Sequence, residues 1–501
     1  MSLSIELDRK GDQAIYRQIA EQIKTQINDG RLPSRTQLPT VRQLADQLGV
    51  TRLTIQNAYG ELQSDGWVEA TIGRGTFVSD MTRPRAFVER MIPDPNQQLT
   101  ADSVINNMIQ IYEWEAQQVT GVRSMAVASP DPRLFDAHLF WNCLEELRPD
   151  LIALSGYGSP QGDVQLRIEM VGLLEKRGLT VTPEDVMITS GLTHGLALVA
   201  QALCQAGDHV LVEQPTYLGF LNILKAQKLQ PIGIPLDEEG PHLEALERAV
   251  VQYRPRFFYT ISSFQNPTGI CASPTRRKKL LEMAKRYGFM LIEDDIYAPL
   301  AYEEPAPPPI KSMDRSGSVI YLTSESKVFM PGLRIGSIVA PLPLRERLLT
   351  LRRATDLCNP PLMQRALALF LRKKGMQQHL KRVLPIYRRR RDAMLWALRR
   401  YMPPEVSWTE PKGGFCCWLT MPSGHALRDV HRAALEKGLA VAPGEVFLTQ
   451  PGTHQHVRLS FSNQSEEAIR SGVELLASII SERLAQEKER NGTLIEWTPL
   501  V

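Results

Sequence analysis

The chain has 501 residues, about three or four domains' worth at roughly 100–200 residues per domain, which excludes a lone small module. Hydrophobic residues make up 43% and charged residues 23%, the ordinary globular range, which excludes a wholly disordered or fibrous chain. With 58 Lys and Arg against 55 Asp and Glu the net charge is +3, so the overall balance names no nucleic-acid partner. Cys143, Cys204, Cys271, Cys358, Cys416 and Cys417 show no Cys-x-x-Cys spacing and no matching His pairs, which speaks against a zinc site or disulfide framework and for a reducing, cytoplasmic setting. The start, MSLSIELDRKGDQ, lacks the apolar core of a signal peptide. No uninterrupted run of about 18 apolar residues follows, so no membrane association is expected.

Residues 1–78 read as a self-contained unit. Tyr16, Ile19, Ile23 and Ile27 recur at three- and four-residue steps and predict a helix with one buried face, stopped by Gly30. Val41, Leu44, Ala45 and Leu48 repeat the pattern up to Gly49, and Thr51 opens a third helix carrying Ile55, Ala58, Tyr59 and Leu62 as far as Gly66. The short turn LGVT between these two helices gives the layout of a helix-turn-helix. Two strand-like runs at 67–69 and 72–78, around a glycine-containing turn, add a wing.

Residues 79–120, with Pro84, Pro93, Pro95 and a helical pattern over 104–118, read as a linker with some order. From 121 to 501, helical patterns alternate with apolar strand candidates at 186–189, 209–213, 257–261, 290–293, 319–322 and 335–340. That alternation predicts an α/β unit with a mostly parallel sheet and helices on both faces.

The segment SESKVFMPGLRIG, residues 324–336, sets Lys327 just past a strand in a serine-containing turn, with Arg334 seven residues on. A lysine in a desolvated pocket can form a Schiff base with an aldehyde, and hydroxyls with a guanidinium suit a phosphate dianion. Both halves of pyridoxal phosphate are thereby addressed; the alternative is a surface lysine in a serine-rich loop. Strand 290–293 ends in Glu293, Asp294 and Asp295, with Tyr297 just after. A carboxylate at the end of a parallel strand lies where such sheets bind ligands, and a pyridine nitrogen needs an acid to hold its proton, which makes Asp294 the candidate. Paired acids also suit a metal, but no His or third acid is suitably spaced, and no metal site is expected.

In SSFQNPTG, Asn266 precedes Pro267 in a turn that can present an amide to a ring oxygen. In ITSGLTHGLAL a glycine turn starts a helix, so the amides of Leu192 and Thr193 point toward an anion. Tyr217 follows a strand and offers a ring to stack on a flat heterocycle, or to pack in the core. Arg458, on the short strand HVRLSFS, suits bidentate capture of a carboxylate, or a surface salt bridge.

These strand-end motifs, with YGSPQG at 157–162, PKGGFCCWL at 411–419 and APGEVF at 442–447, resemble the fold type I pyridoxal-phosphate aminotransferases over about residues 124–480. The resemblance implies a large, mostly parallel sheet domain and a smaller C-terminal α+β domain. It implies Lys327 as the Schiff-base lysine, Asp294 on the pyridine nitrogen, Asn266 and Tyr297 on the ring hydroxyl, and Tyr217 stacked on the ring. Ser324, Ser326 and Arg334 would surround the phosphate, Tyr157 would reach it from a partner subunit, and Arg458 would hold an α-carboxylate. Many relatives carry Ser-Gln where this chain has Leu192 and Thr193, which keeps the amides but puts a side-chain phosphate contact in doubt.

The front segment LPTVRQLADQLGVTRLTIQNAYGELQSDGWVEATIGRGTFV, residues 38–78, resembles the GntR family of winged helix-turn-helix regulators. By that resemblance Arg42, Thr51, Arg52 and Thr54 reach DNA, and Gly73, Arg74 and Gly75 at the wing tip contact the minor groove. Residues 1–80 hold nine Lys or Arg against ten Asp or Glu, so a DNA-binding face has to be a local patch. Residues 345–400 hold sixteen basic residues against three acids, including the run from Arg388 to Arg391. That run reads as a solvated helix face, or as a surface that helps wrap operator DNA.

The two halves together resemble the MocR subfamily of bacterial regulators. The implied protein is a homodimeric, pyridoxal-phosphate-dependent transcriptional regulator that binds double-stranded operator DNA and senses the cofactor or an amino compound. An active aminotransferase of the aminoadipate or kynurenine type, with Lys327 moving protons and the DNA module secondary, is the alternative.

Overall fold

The computed structural model describes all residues except 1–2, 4, 10–12, 65–66, 72–74, 80–121, 424–428, 451–454 and 496–501. The chain divides into two compact units, Met1–Ile105 and Asn106–Val501. In the first, α1 (Ile15–Asn28), α2 (Val41–Leu48) and α3 (Arg52–Ser64) are followed by antiparallel strands β1 (Val68–Thr71) and β2 (Gly75–Val78). The apolar residues read from the sequence meet in one core: Ile19, Ile23, Leu44, Ile55, Leu62 and Val68 are buried together. Thr40 caps α2 by accepting from the Gln43 amide while the Gln43 side chain accepts from the Thr40 amide, a reciprocal capping box that satisfies two otherwise orphaned donors. Gly49 ends α2 at φ 61°, the left-handed conformation that a side chain resists. Arg9, in an N-terminal arm that the sequence pattern did not reveal, donates to the Leu48 and Gly49 carbonyls at that turn.

The second unit is built on an eight-stranded sheet. After β3 (Arg123–Ser124), its strands are β4 (Val186–Thr189), β5 (His209–Gln214), β6 (Gln230–Asp237), β7 (Gly240–Pro241), β8 (Phe257–Thr260), β9 (Met290–Asp294), β10 (Val319–Ser324) and β11 (Gly336–Val339). Their order is β4-β11-β10-β9-β8-β5-β6-β7. β6, β5, β8, β9 and β10 are parallel, while β11 runs against both its neighbours and β7 against β6. All six strand candidates fall on observed strands. They read as continuous apolar runs because both faces are covered: Val186 and Ile188 join one buried cluster while Met187 between them joins another.

A smaller antiparallel sheet follows, from β12 (Ser407–Trp408), β13 (Cys416–Met421), β15 (Ala442–Pro443) and β16 (Gln455–Ser460), in the order β12-β13-β16-β15. β14 (Leu439–Ala440) pairs in parallel with β3. The basic run lies on the helix Gly375–Tyr401 and corrects both readings of it for two of its members. Arg390 and Arg391 are buried. Arg390 donates to Asp131 at 2.7 Å and to the Ser462 carbonyl, and Arg391 donates to the Pro411 carbonyl at 2.7 Å and to Glu303. Only Arg388 and Arg389 keep a solvated face, beside Glu303 and Glu466. The burial is possible because each inner guanidinium finds both a carboxylate and a carbonyl, which offsets its desolvation.

Asp131 is therefore a stability determinant. Asp131→Ala is expected to destabilise the second unit by about 3–5 kcal/mol, since it leaves Arg390 buried without its carboxylate, whereas Arg388→Gln shifts stability by less than about 1 kcal/mol; urea unfolding of the full chain reads both.

Candidate functional site

The parallel strands end on one edge of the large sheet, and a cleft of about 570 Å³, including its open mouth, lies there. β4, β5, β8, β9 and β10 deliver to it residues that are 135 positions apart in the chain (192 to 327). Leu192, Thr193, Tyr217 and Asn266 line it, as do Asp294, Tyr297, Ser326, Lys327 and Arg334. Ser324 stands behind Ser326, with its Oγ donating to the Ile335 carbonyl at 2.8 Å and lying 2.9 Å from the Ser326 Oγ.

Of the three acids at the end of β9, one faces the cleft. Asp294 accepts from the Tyr259 hydroxyl at 2.8 Å and from the Ile296 amide at 3.1 Å, and burial pushes its carboxyl up to about 7. Glu293 accepts from Ser262 Oγ, Ile310 N and Lys311 N, close to the fully buried Arg277. Asp295 accepts from Ser263 Oγ, Tyr321 Oη and Arg177. These two therefore anchor the strand ends, and Asp294 is left as the acid on the cleft floor. Among the described residues no group of His, Cys, Asp and Glu is arranged to hold a metal ion.

The anion end is built around Gly191. It stands at φ 83°, and a Cβ there would lie 2.6 Å from Arg334 Nη2, so glycine is what lets the guanidinium approach to donate to the Ser190 carbonyl at 3.1 Å. The helix Leu192–Leu203 starts at this point, so its first amides have no carbonyl within the helix to bond. Thr193 lines the cleft. At the other end Arg458 is buried and sits over the Phe447 ring, 4.7 Å from its centroid. It donates to Asn266 Oδ1 at 3.1 Å and to the Ala126 carbonyl. Lys327 Nζ donates to the Ala128 carbonyl at 2.5 Å.

Of the expected set, Tyr157 stays outside the cleft, 90% exposed, while Ser324 and Arg458 stand behind its wall, bonded to the lining residues Ser326 and Asn266. Four participants escaped the sequence reading. Tyr259 sits in an apolar strand, where only its buried hydroxyl hinted at a polar partner. Cys416 donates to Asn266 Oδ1 at 3.7 Å. The carbonyls of Ala126 and Ala128 carry no side-chain signal at all.

In the first unit Arg42 and Arg52 are exposed. Thr51 Oγ and Thr54 Oγ lie 2.9 Å apart, and Thr51 accepts from the Thr54 amide at 3.2 Å, capping α3. Gly73 and Arg74 lie outside the described residues.

The fold and cleft thus define a winged helix-turn-helix unit in one chain with an α/β unit of the fold type I pyridoxal-phosphate class. Residues 15–78 match the family of bacterial regulatory proteins, gntR family, and residues 148–476 match aminotransferase class I and II. The chain is 31% identical over 468 residues, 93% of its length and 96% of the relative's, to the uncharacterized HTH-type transcriptional regulator YdfD of Bacillus subtilis. Its structure is similar to the kynurenine aminotransferase of Pyrococcus horikoshii in complex with PMP, at 34% identity and a TM-score of 0.73 over 79% of this chain and 98% of that one. It is also similar to the alpha-aminoadipate aminotransferase LysN of Thermus thermophilus, complexed with N-(5'-phosphopyridoxyl)-L-leucine, at 35% identity and a TM-score of 0.69 over 73% and 94%. The chain belongs to the aminotransferase class I and II family and carries a GntR-family domain in front, the organisation of the MocR regulators.

The cofactor of this fold is pyridoxal phosphate, and the cleft fits it: an amine at Lys327, a buried acid suited to a cationic ring nitrogen, and an anion cup that only a glycine leaves open. Like Asp294, Glu213 is pushed up to about 7 by burial. Both carboxyls keep a proton in the folded chain over a pH range where the unfolded chain has lost it. The stability they confer is present below about pH 4 and is lost as pH rises through about 7. Cofactor-free protein is therefore expected to lose stability from pH 5 to 8, and Asp294→Asn to flatten that slope by up to about 1.4 kcal/mol per pH unit, read by urea unfolding at several pH values.

Proposed function

We propose that the chain is a DNA-binding transcriptional regulator whose aminotransferase-like unit binds pyridoxal phosphate and senses it or an amino compound. The observation that carries the reading is the convergence of Lys327, Asp294, Asn266 and the Gly191–Arg334 cup on one cleft, in a chain that also folds a helix-turn-helix.

When bound, pyridoxal phosphate supplies an electrophilic aldehyde carbon and an electron-withdrawing ring. Lys327 Nζ is the amine that reaches it. Asp294 keeps a proton on the ring nitrogen, held in place by Tyr259. Tyr217 covers a ring face, and Asn266 with Tyr297 orients the ring oxygen. Ser324, Ser326, Arg334 and the amides of Leu192 and Thr193 hold the phosphate. Arg458 grips the carboxylate of an amino compound.

The chain works as a homodimer in this reading. Trp141, Ile152, Tyr157, Val164, Ile168 and Leu357 are large apolar or aromatic side chains left exposed. The helices that carry Trp141, Ile152, Val164 and Ile168 pack around the helix Pro361–Arg372, and Gly158, next to Tyr157, bonds Cys358, next to Leu357. An exposed apolar surface of this kind marks a protein contact, and Tyr157 would serve the partner's phosphate cup across it. Two reading heads then address two half-sites on duplex DNA, with Arg42, Arg52, Thr51, Thr54 and the wing at Gly73 and Arg74 facing it.

The retained Lys327 and Arg458 also favour a second reading, transamination by the same site. Visible absorbance from protein-bound cofactor, abolished in Lys327→Ala, is expected. Arg52→Ala is expected to weaken binding to DNA upstream of the gene by about tenfold or more. Absence of the absorbance or of any DNA binding overturns the regulator reading, and amino-acid turnover with a keto acid at about 1 s⁻¹ or faster promotes the second.

A further inference from the structure

The outward face of α3 is shaped for more than phosphate contact. Ile55, Ala58, Tyr59 and Leu62 sink into the core, while Arg52, Leu53, Gln56 and Gly60 face out. Leu53 is 64% exposed, beside Arg52 at the start of the helix. Gly60, one turn past Gln56, has open space where a Cβ would go; glycine there costs the helix about 1 kcal/mol relative to alanine and leaves the surface below Gln56 bare. Resting on the DNA-binding reading, we propose that Gln56 and Leu53 set the operator sequence. Gln56 pairs with the N6 and N7 of an adenine, and Leu53 packs on the 5-methyl of a neighbouring thymine, beside a guanine read by Arg52. Those are the base edges that an amide and an aliphatic side chain recognise in the major groove.

The test uses the full-length protein and a duplex selected from randomised DNA. Replacing the adenine with 7-deazaadenine is expected to weaken the parent about tenfold or more and to leave Gln56→Ala unchanged. Replacing the thymine with deoxyuridine weakens the parent and not Leu53→Ala. A parent indifferent to both replacements throughout the half-site, or a Gln56→Ala variant that keeps the parent's base preferences, overturns the proposal. Failure to select any duplex overturns the DNA-binding reading along with it.

An independent observation concerns residues 122–131, the first described residues after the stretch 80–121. Lys327 Nζ donates to the Ala128 carbonyl and Arg458 to the Ala126 carbonyl. The Ser460 amide donates to the Met125 carbonyl at 2.7 Å, and Ser462 Oγ to the Ser129 carbonyl at 2.6 Å. The two groups assigned to cofactor and ligand thus hold the segment that leads back along the chain to the DNA-binding unit. We infer that occupancy of the cleft loosens this segment. When the Lys327 amine adds to the cofactor aldehyde, a carbon–nitrogen double bond forms. Water leaves with the carbonyl oxygen and two amine protons, so Nζ has fewer protons to give Ala128. A carboxylate gripped by Arg458 competes in the same way with Ala126, and such competition is the differential interaction a two-state switch requires.

Hydrogen exchange of the full-length protein reads this. Adding pyridoxal phosphate to cofactor-free protein is expected to speed exchange severalfold in peptides covering 122–131, while Lys327→Ala exchanges fast from the start and does not respond. Unchanged or slowed exchange there, in protein whose visible absorbance shows bound cofactor, overturns the inference; no visible absorbance overturns the cofactor reading instead.

Discussion

Parallel pairing in the large sheet is the constraint on which the site depends. Because β5, β8, β9 and β10 run in one direction, the residues after each of them emerge on the same edge. Tyr217, Asn266, Asp294 and Lys327 become neighbours there although they span more than a hundred positions of the chain. β4 joins them because it runs against β11, which itself runs against β10. Its following turn therefore opens on the same side and brings Gly191 to the guanidinium of Arg334.

Most polar groups at this edge are paired away from the cleft. Glu293 and Asp295 are tied to serine hydroxyls and a tyrosine, with Arg277 and Arg177 as counter-charges. Strand alternation turns them to the face opposite Asp294. Asp294 alone is turned to the cleft with only Tyr259 and one amide to support it, and burial without a nearby cation holds its proton on. That environment lacks a cation and would suit a cationic ring nitrogen.

The small sheet is tied to the start of the second unit by the same economy. Arg390, Arg458, Ser460 and Ser462 all bond residues 125–131. What composition presents as a basic surface is in part an internal fastening, and the segment it fastens accepts a hydrogen bond from Lys327, which lines the cleft.

Local chemistry was legible in the sequence where it has a local cause. The apolar periodicity of α1 to α3, the glycine stops, the strand runs at 186–189 and 290–293, and the lysine turn at 324–336 follow from what neighbouring residues can do with their own backbone. That Leu192, Tyr217, Asn266, Asp294 and Lys327 would meet at one edge was legible because each lies at or after the end of an apolar strand run. Tertiary structure alone decided which of three consecutive acids faces the cleft, that Arg390 and Arg391 are inside while Arg388 is outside, and that Tyr157 stands apart from the cleft. It also placed the Ala126 and Ala128 carbonyls against Arg458 and Lys327. These depend on partners from 20 residues away, as for Arg391 and Pro411, to 332 away, as for Arg458 and Ala126, and for a main-chain carbonyl the side chain that sequence records plays no part in the bond.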